Sequence, residues 1–235
     1  MIQLPPRMQT VADLVPPGAK VVDVGTDHAY LPANLLQRGI IRRAVVSDLR
    51  AGPLSRARAT AERYGLTELM DFRLCDGLAG ILPEEADTII IAGMGGETIA
   101  AILAAAPWTA QGERRLLLQP MTAQYQLRRW LQAHRYTIQR EALSREKDSF
   151  YTILAAAPGD MGPMSPAQYW AGKQSREACS PWRGEYLRRQ AAQLDRILAG
   201  LNRSKRAEHA QRRGELEQIR QGIEEMREEW NTWQV

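Results

Sequence analysis

The chain has 235 residues, of which 44% are hydrophobic, and a formal net charge of +4. This length allows one substantial core plus an extension, and the small net charge is compatible with an RNA partner without requiring one. Cys75 and Cys179 stand far apart and outside any CxxC or histidine cluster, which excludes a disulfide scaffold and argues against a zinc site. The chain shows no long apolar run and no signal-peptide pattern, so we expect a soluble, untargeted, cytoplasmic protein without a metal.

From residue 20 onward, segments typical of strands alternate with segments typical of helices. The predicted strands are 20–24, 43–47, 70–74, 88–92, 114–119, 136–143 and 150–157. The predicted helices are 32–38, 52–64, 98–106 and 124–134. The alternation predicts an α/β fold with a parallel sheet covered by helices on both faces. Because the last two strands follow one another without a helix, they should pair antiparallel and make the seven-stranded sheet mixed.

Residues 158–166 contain three prolines and two glycines and can continue neither a strand nor a helix. We therefore place a domain boundary there, with a first domain at 1–160 and a second at 161–235. In the second domain, apolar residues recur at four-three spacing in two series. These are Leu187, Ala191, Leu194, Leu198 and Leu201, and then Leu216, Ile219, Ile223, Met226, Trp230 and Trp233. The two series predict an antiparallel helical coiled-coil hairpin, whose second helix is weakened by Gly214 and Gly222.

The turn after the first predicted strand is the most informative segment for function. Asp23-Val24-Gly25 ends a buried strand, and the glycine lets the backbone turn sharply against a ligand at the carboxyl edge of the sheet. A dinucleotide fold would continue with G-x-G-x-x-G, whereas Asp27 and Tyr30 occupy the later glycine positions. Because a pyrophosphate needs those glycines, the pattern disfavours NAD and FAD and favours a cofactor without phosphate, such as S-adenosylmethionine.

The ends of the next three strands carry groups that suit this cofactor. Asp48 is placed for the ribose diol, and Asp76 with Gly77 for the adenine. The fourth strand is followed by a wall with few side chains where the reacting methyl would point: Gly93, Met94, Gly95 and Gly96. Asp23 and Asp27 could supply carboxylates to the methionine ammonium. Each aspartate alone is explained as well by a helix cap, but their order on successive strand ends supports one ligand site.

Five further positions are candidates with two interpretations each. Arg7 reaches the site from the N-terminal arm or is solvated, and His28 orients a ligand or makes a structural hydrogen bond. Tyr30 stacks on a base or belongs to the core. Gln119 and Pro120 present groups to a substrate base or simply end the fifth strand.

Taken together, the motifs D-V-G-T-D-H-A-Y-L-P, I-I-I-A-G-M-G-G and L-L-L-Q-P-M resemble those of bacterial tRNA adenine-N1 methyltransferases that modify adenosine 22 in the D-arm. The resemblance covers the whole length: an N-terminal arm with Arg7, a Rossmann-like class I methyltransferase domain and a C-terminal coiled coil. It implies S-adenosyl-L-methionine as cofactor and tRNA as substrate. The turn at residues 146–151 departs from the expected E-D-G-K-F-Y, since this sequence has E-K-D-S-F-Y.

The resemblance also implies roles for individual residues. Cofactor-binding positions are Asp23, Gly25, Asp27 and His28 around the methionine, Asp48 at the ribose, and Asp76 and Gly77 at the adenine. Residues 93–96 lie near the methyl and, with Asp27, form the expected catalytic set. The residues themselves, rather than the resemblance, indicate the expected substrate-binding positions, which are Arg7, Tyr30, Gln119, Pro120, Arg203 and Arg206.

The arginines of the hairpin are expected to meet tRNA phosphates by shape, and its glutamate-rich end to be solvated. Two other functions stay open: a methyltransferase acting on another RNA or a small molecule, and a non-catalytic RNA-binding module with a degenerate cofactor pocket. The sequence does not decide between a monomer and a dimer.

Overall fold

A seven-stranded mixed sheet forms the centre of the first part of the chain. The computed structural model describes residues 1–202 and 208–234. The strands are β1 (Val21–Val24), β2 (Ala44–Asp48), β3 (Met70–Leu74), β4 (Thr88–Gly95), β5 (Arg115–Thr122), β6 (Tyr136–Glu146) and β7 (Ser149–Pro158). Their order is β3-β2-β1-β4-β5-β7-β6, with β1 to β5 parallel and β7 antiparallel to both of its neighbours. The predicted mixed sheet is confirmed.

Helices cover both faces of this sheet. They are α1 (Pro6–Ala12), α2 (Tyr30–Gln37), α3 (Ala51–Tyr64), α4 (Gly96–Ala104) and α5 (Gln124–Ala133). Ile90 packs into a core with α2 and α3, whereas Ile89 and Ile91 point into a second core with α4 and α5. A central strand buried on both faces must be apolar at every position, which explains the continuous isoleucine run.

The strand order reverses between β1 and β4. From β1 the chain proceeds outward through β2 to β3, and it then returns to the other side of β1 as β4. In sheets of this kind, ligands bind outside the carboxyl ends of the strands at such a switch point. The topology therefore directs attention to the ends of β1, β2, β3 and β4.

Four strands are longer than predicted from the sequence, and two of them are β6, which continues to Glu146, and β7, which spans Ser149–Pro158. β4 continues past Ala92 to Gly95, and β5 past Gln119 to Thr122. The pairing of β4 with β5 continues through an irregular segment that contains two register shifts and in which Gly93 has a φ of +81°. Pro120 lies at one of these shifts, where a strand tolerates the missing N–H. The helix α1 was not predicted.

The contacts divide the chain into two units, Met1–Met161 and Gly162–Val235. The second unit contains α6 (Pro166–Ala171), α7 (Arg183–Asn202) and α8 (Glu208–Thr232). Arg220 on α8 donates to Asp195 on α7 at 2.8 Å, and Arg213 on α8 donates to Asn202 at 3.4 Å. A residue earlier in α8 thus contacts a residue later in α7, so the two helices run antiparallel, as the two apolar series predicted.

The two glycines of α8 are expected to respond in opposite ways to alanine. A Cβ on Gly222 would lie 2.6 Å from the Cβ of Ala167, so Gly222→Ala pushes α6 away from α8. We expect the free energy of unfolding to fall by about 1–3 kcal/mol. The Cβ position of Gly214 has nothing within 4 Å, so Gly214→Ala should gain up to about 1 kcal/mol from helix propensity. Denaturant unfolding of the full chain measures both, and two changes of the same sign would contradict this packing.

Candidate active site

A cavity of about 410 Å³ opens at the switch point of the sheet. The ends of β1, β2 and β3 form one side of it, and β4 and α4 form the other. Five residues predicted from the sequence line this one cavity: Gly25, Asp48, Asp76, Gly77 and Met94. Residues from four strand ends are thus brought together as predicted.

Two glycines give the cavity its shape. Gly25 has a φ of +72°, and a Cβ there would lie 1.9 Å from the Cε of Met94. Gly77 has a φ of +53°, and its Cβ would lie 3.0 Å from Ile102. A side chain at either position would meet a conformational penalty and a close neighbour, so both turns favour glycine.

Two carboxylates border the cavity in different environments. Asp48 is almost fully buried, and its Oδ1 accepts a hydrogen bond from the backbone N–H of Arg50 at 2.8 Å. Asp76 is exposed at the end of β3. The hydrogen bond fixes Asp48, and a fixed carboxylate can accept from both hydroxyls of a diol.

Asp23 lies buried beneath the turn between β1 and α2. Burial raises its pKa to about 6, while a hydrogen bond with the hydroxyl of Thr26 opposes that rise. The same hydroxyl oxygen accepts from the N–H of Ala29, which has a φ of +52° at the start of α2. A carboxyl group with such a pKa changes charge close to neutral pH, and a nearby cation would stabilise its ionised form.

Asp27 belongs to an exposed group on the same turn. The guanidinium of Arg56 on α3 donates to Oδ1 of Asp27 through Nε, at 2.8 Å, and through Nη2. Nε2 of His28 lies 3.4 Å from the other carboxylate oxygen, and the His28 ring stacks on Tyr30 with 5.1 Å between centroids. The hydrogen bond from Arg56 lowers the pKa of Asp27. Sequence reasoning missed Arg56, because a contact between residues so far apart in the chain leaves no local pattern.

The glycine-rich segment is held by a buried side chain. Oε1 of Gln119 accepts from the N–H of Gly93 at 3.1 Å, and its Nε2 donates to the carbonyl oxygen of Pro120 at 3.3 Å. A Cβ on Gly96 would lie 2.5 Å from the carbonyl oxygen of Ala123. Gln119 and Pro120, which were predicted to contact substrate, are both buried inside the extended β5. Gln119 positions the segment at residues 93–96.

Arg7 lies at the same edge of the sheet as the cavity, because β7 runs antiparallel to β5 and brings the turn after β6 to that edge. Its N–H and Nη1 donate to the carboxylate of Glu146 at 2.8 and 2.7 Å, and its guanidinium lies 5.2 Å from the ring centroid of Tyr151. Glu146 and Tyr151, which keep the expected residues on either side of the divergent positions 147–149, thus hold the N-terminal arm.

Arg203 and Arg206, predicted to contact substrate, lie outside the described residues. Within the ranges 1–202 and 208–234, no group of three or more His, Cys, Asp or Glu side chains could hold a metal ion. In the same part of the chain, no helix combines the length and the apolar character needed to span a membrane.

The strand order and the cavity at its switch point define a Rossmann-like methyltransferase, and the family model described as "Methyltransferase domain" matches residues 4–154. The tRNA (adenine(22)-N(1))-methyltransferase of Bacillus subtilis is 39% identical over 159 residues, which cover 68% of this chain and 67% of the relative. The chain belongs to the methyltransferase-domain family and, within it, to the tRNA (adenine(22)-N1)-methyltransferases.

Solved structures agree over nearly the whole chain. The Bacillus subtilis m1A22 tRNA methyltransferase has a TM-score of 0.85 at 29% identity, covering 97% of this chain and 100% of that one. A putative tRNA (m1A22) methyltransferase of Streptococcus pneumoniae, in complex with S-adenosyl-L-methionine, has a TM-score of 0.82 at 34% identity and the same coverage. The likeness therefore includes the C-terminal helices.

Proposed function

We propose that this chain transfers the methyl group of S-adenosyl-L-methionine to N1 of adenosine 22 in the D-arm of tRNA. The observation that carries the proposal is the convergence of Gly25, Asp48, Asp76 and Gly77 on one cavity in a chain 39% identical to an enzyme named for that reaction. Because the proposed substrate is tRNA, we place the activity in the cytoplasm.

The donor set of the cavity fits this cofactor. Asp48 accepts from the ribose hydroxyls, Asp76 accepts from the adenine amino group, and Gly77 leaves room for the ring. Asp23 lies buried beneath the β1 turn and outside the cavity lining, from where its carboxylate would stabilise the methionine ammonium. When bound, the cofactor supplies an electrophilic methyl: the N1 lone pair forms the new N–C bond while the C–S bonding pair returns to sulfur, leaving S-adenosylhomocysteine and cationic 1-methyladenosine.

The residues of the chain mainly position the reacting groups. Neutral adenine N1 already carries a lone pair, so no strong base is required. Most of the rate then comes from holding N1 within about 3–3.5 Å of the methyl, in a dry polar site. Gln119 supports this by fixing Gly93, and residues 93–96 leave space for the target base. The base lies within folded RNA and must be extruded to reach that space.

In this proposal the C-terminal domain, which was predicted at residues 161–235, contacts the tRNA. Arg188, Arg196 and Arg212 are exposed on α7 and α8. Exposed arginines can neutralise phosphates without reading base sequence.

The first test is transfer of a labelled methyl from S-adenosyl-L-methionine to an unmodified tRNA transcript. We expect incorporation into the transcript with adenosine 22 and none into a transcript with uridine at that position. Equal incorporation into both would contradict the assigned position, and incorporation only into another RNA or a small molecule would replace the substrate class.

A further inference from the structure

Four side chains at the end of β1 form a group that we call the rim cluster: Asp27, His28, Tyr30 and Arg56. The cofactor cavity takes Val24 and Gly25 from this turn, whereas the four residues of the rim cluster do not line it. The side chains of Asp27 and Arg56 are 60% and 48% exposed, and Tyr30 is 45% exposed. A cluster so open is available to a macromolecular ligand that approaches the cavity mouth.

The carboxylate of Asp27 is fixed and partly neutralised. Arg56 donates to one of its oxygens through two guanidinium nitrogens, which restrains that oxygen and partly neutralises the charge. Nε2 of His28 lies 3.4 Å from the second oxygen, which has further lone-pair capacity to accept a hydrogen bond. A carboxylate already paired with a guanidinium gains less from an added ammonium than a free one does, but it remains a directional acceptor for a neutral N–H donor.

An aromatic platform adjoins this acceptor. The rings of His28 and Tyr30 are stacked and nearly parallel, with 4° between their planes. Exposed aromatic rings bind bases extruded from RNA by stacking on their faces. An aromatic face beside a directional acceptor matches a nucleobase with an exocyclic amino group, and it does not match the aliphatic chain of methionine.

We infer that the rim cluster is the recognition site for the target adenine: Tyr30 stacks on the base, Asp27 accepts a hydrogen bond from the exocyclic amino group, and Arg56 is the positioning residue that fixes Asp27. This inference rests on the proposed function and reassigns Asp27 and His28 from the cofactor to the substrate. Guanine presents a carbonyl oxygen where adenine presents the amino group, and a carboxylate repels that oxygen. The cluster therefore also selects adenine over guanine.

The test combines variants with a substrate that lacks the amino group. Single-turnover methyl transfer is measured for the wild-type chain, Asp27→Asn and Arg56→Gln, on tRNA carrying either adenosine or purine riboside at position 22. Arg58→Gln is the matched control, because Arg58 lies on the same helix and packs over the Phe72 ring at 4.5 Å. Calorimetry gives the affinity of each variant for S-adenosyl-L-methionine.

We expect the wild-type chain and Arg58→Gln to lose about 10- to 100-fold in rate when the amino group is removed, which is the range for a hydrogen bond to a charged group. Asp27→Asn and Arg56→Gln should react about tenfold more slowly than the wild-type chain on adenosine, and removal of the amino group should slow them by a smaller factor than it slows the wild-type chain. The intrinsic difference between the two bases affects all four proteins equally and cancels in this comparison. Cofactor affinity should stay within about twofold, which also shows that the variants fold.

Two results would overturn the inference while leaving the proposed function intact. One is an equal loss on purine riboside in the wild-type chain and in both cluster variants. The other is a tenfold weaker cofactor affinity in Arg56→Gln, which would return Asp27 to the cofactor. If the wild-type chain methylates neither tRNA, the proposed function fails first and the inference fails with it.

Discussion

Replacing Asp48 with alanine is expected to weaken the binding of S-adenosyl-L-methionine by about 100-fold. The carboxylate lines the cavity and is held by the N–H of Arg50. Losing two hydrogen bonds from a diol to a charged acceptor costs about 3 kcal/mol, which corresponds to that factor. Calorimetric titration of the cofactor measures the change, and the affinity for tRNA should not change.

Asp71→Ala is the matched control, because Asp71 lies on the neighbouring strand β3 in an ion pair with Arg43, away from the carboxyl edge. We expect it to bind the cofactor like the wild-type chain. Asp48→Asn should fall between the two, since it keeps an acceptor oxygen and loses the charge. Unchanged cofactor affinity in Asp48→Ala would exclude this cavity as the cofactor site.

The second large effect is a pH dependence that originates in Asp23. Its pKa is raised from 3.8 to about 6 by burial, so the folded chain binds this proton more tightly than the unfolded chain does. The free energy of unfolding should therefore rise by up to about 3 kcal/mol as the pH falls from about 6 to about 4, and this gain is lost again as the pH rises through 6. Asp23→Asn should remove this contribution.

Cofactor binding should show the opposite trend. A methionine ammonium near Asp23 stabilises the ionised carboxylate, so the affinity should fall about tenfold per pH unit below 6. Asp27→Asn is the control, because the pKa of Asp27 is already lowered by Arg56 and that group should stay ionised over the same range. An affinity with the same pH slope in the wild-type chain and in Asp23→Asn would mean that Asp23 does not face the ammonium.

The sheet could be predicted from the sequence because its rules are local. A central strand buried on both faces must be apolar throughout, as at Ile89 to Ile91, and a parallel connection needs an intervening helix. The carboxyl ends of those strands then place Gly25, Asp48 and Asp76 at one edge before any contact is known. This is why Gly25, Asp48 and Asp76 line one cavity at the switch point of the sheet.

Some contacts have no local pattern in the sequence. The pairing of β4 with β5 continues through a bulge, and the buried side chain of Gln119 accepts a hydrogen bond from Gly93 there. Arg56 is one of many arginines in the sequence, and only the folded turn brings it to Asp27. Such pairings depend on the tertiary arrangement of the elements, which periodicity and spacing do not encode.

Identifying the nucleoside that carries the transferred methyl decides whether the chain methylates adenosine 22. After reaction of the full chain with unmodified tRNA and labelled S-adenosyl-L-methionine, digestion and mass spectrometry give the nucleoside, and fragment mapping gives its position. We expect one labelled 1-methyladenosine per tRNA, at position 22. Label in a different nucleoside, in an adenosine elsewhere in the tRNA, or in no RNA at all while the cofactor still binds would contradict it.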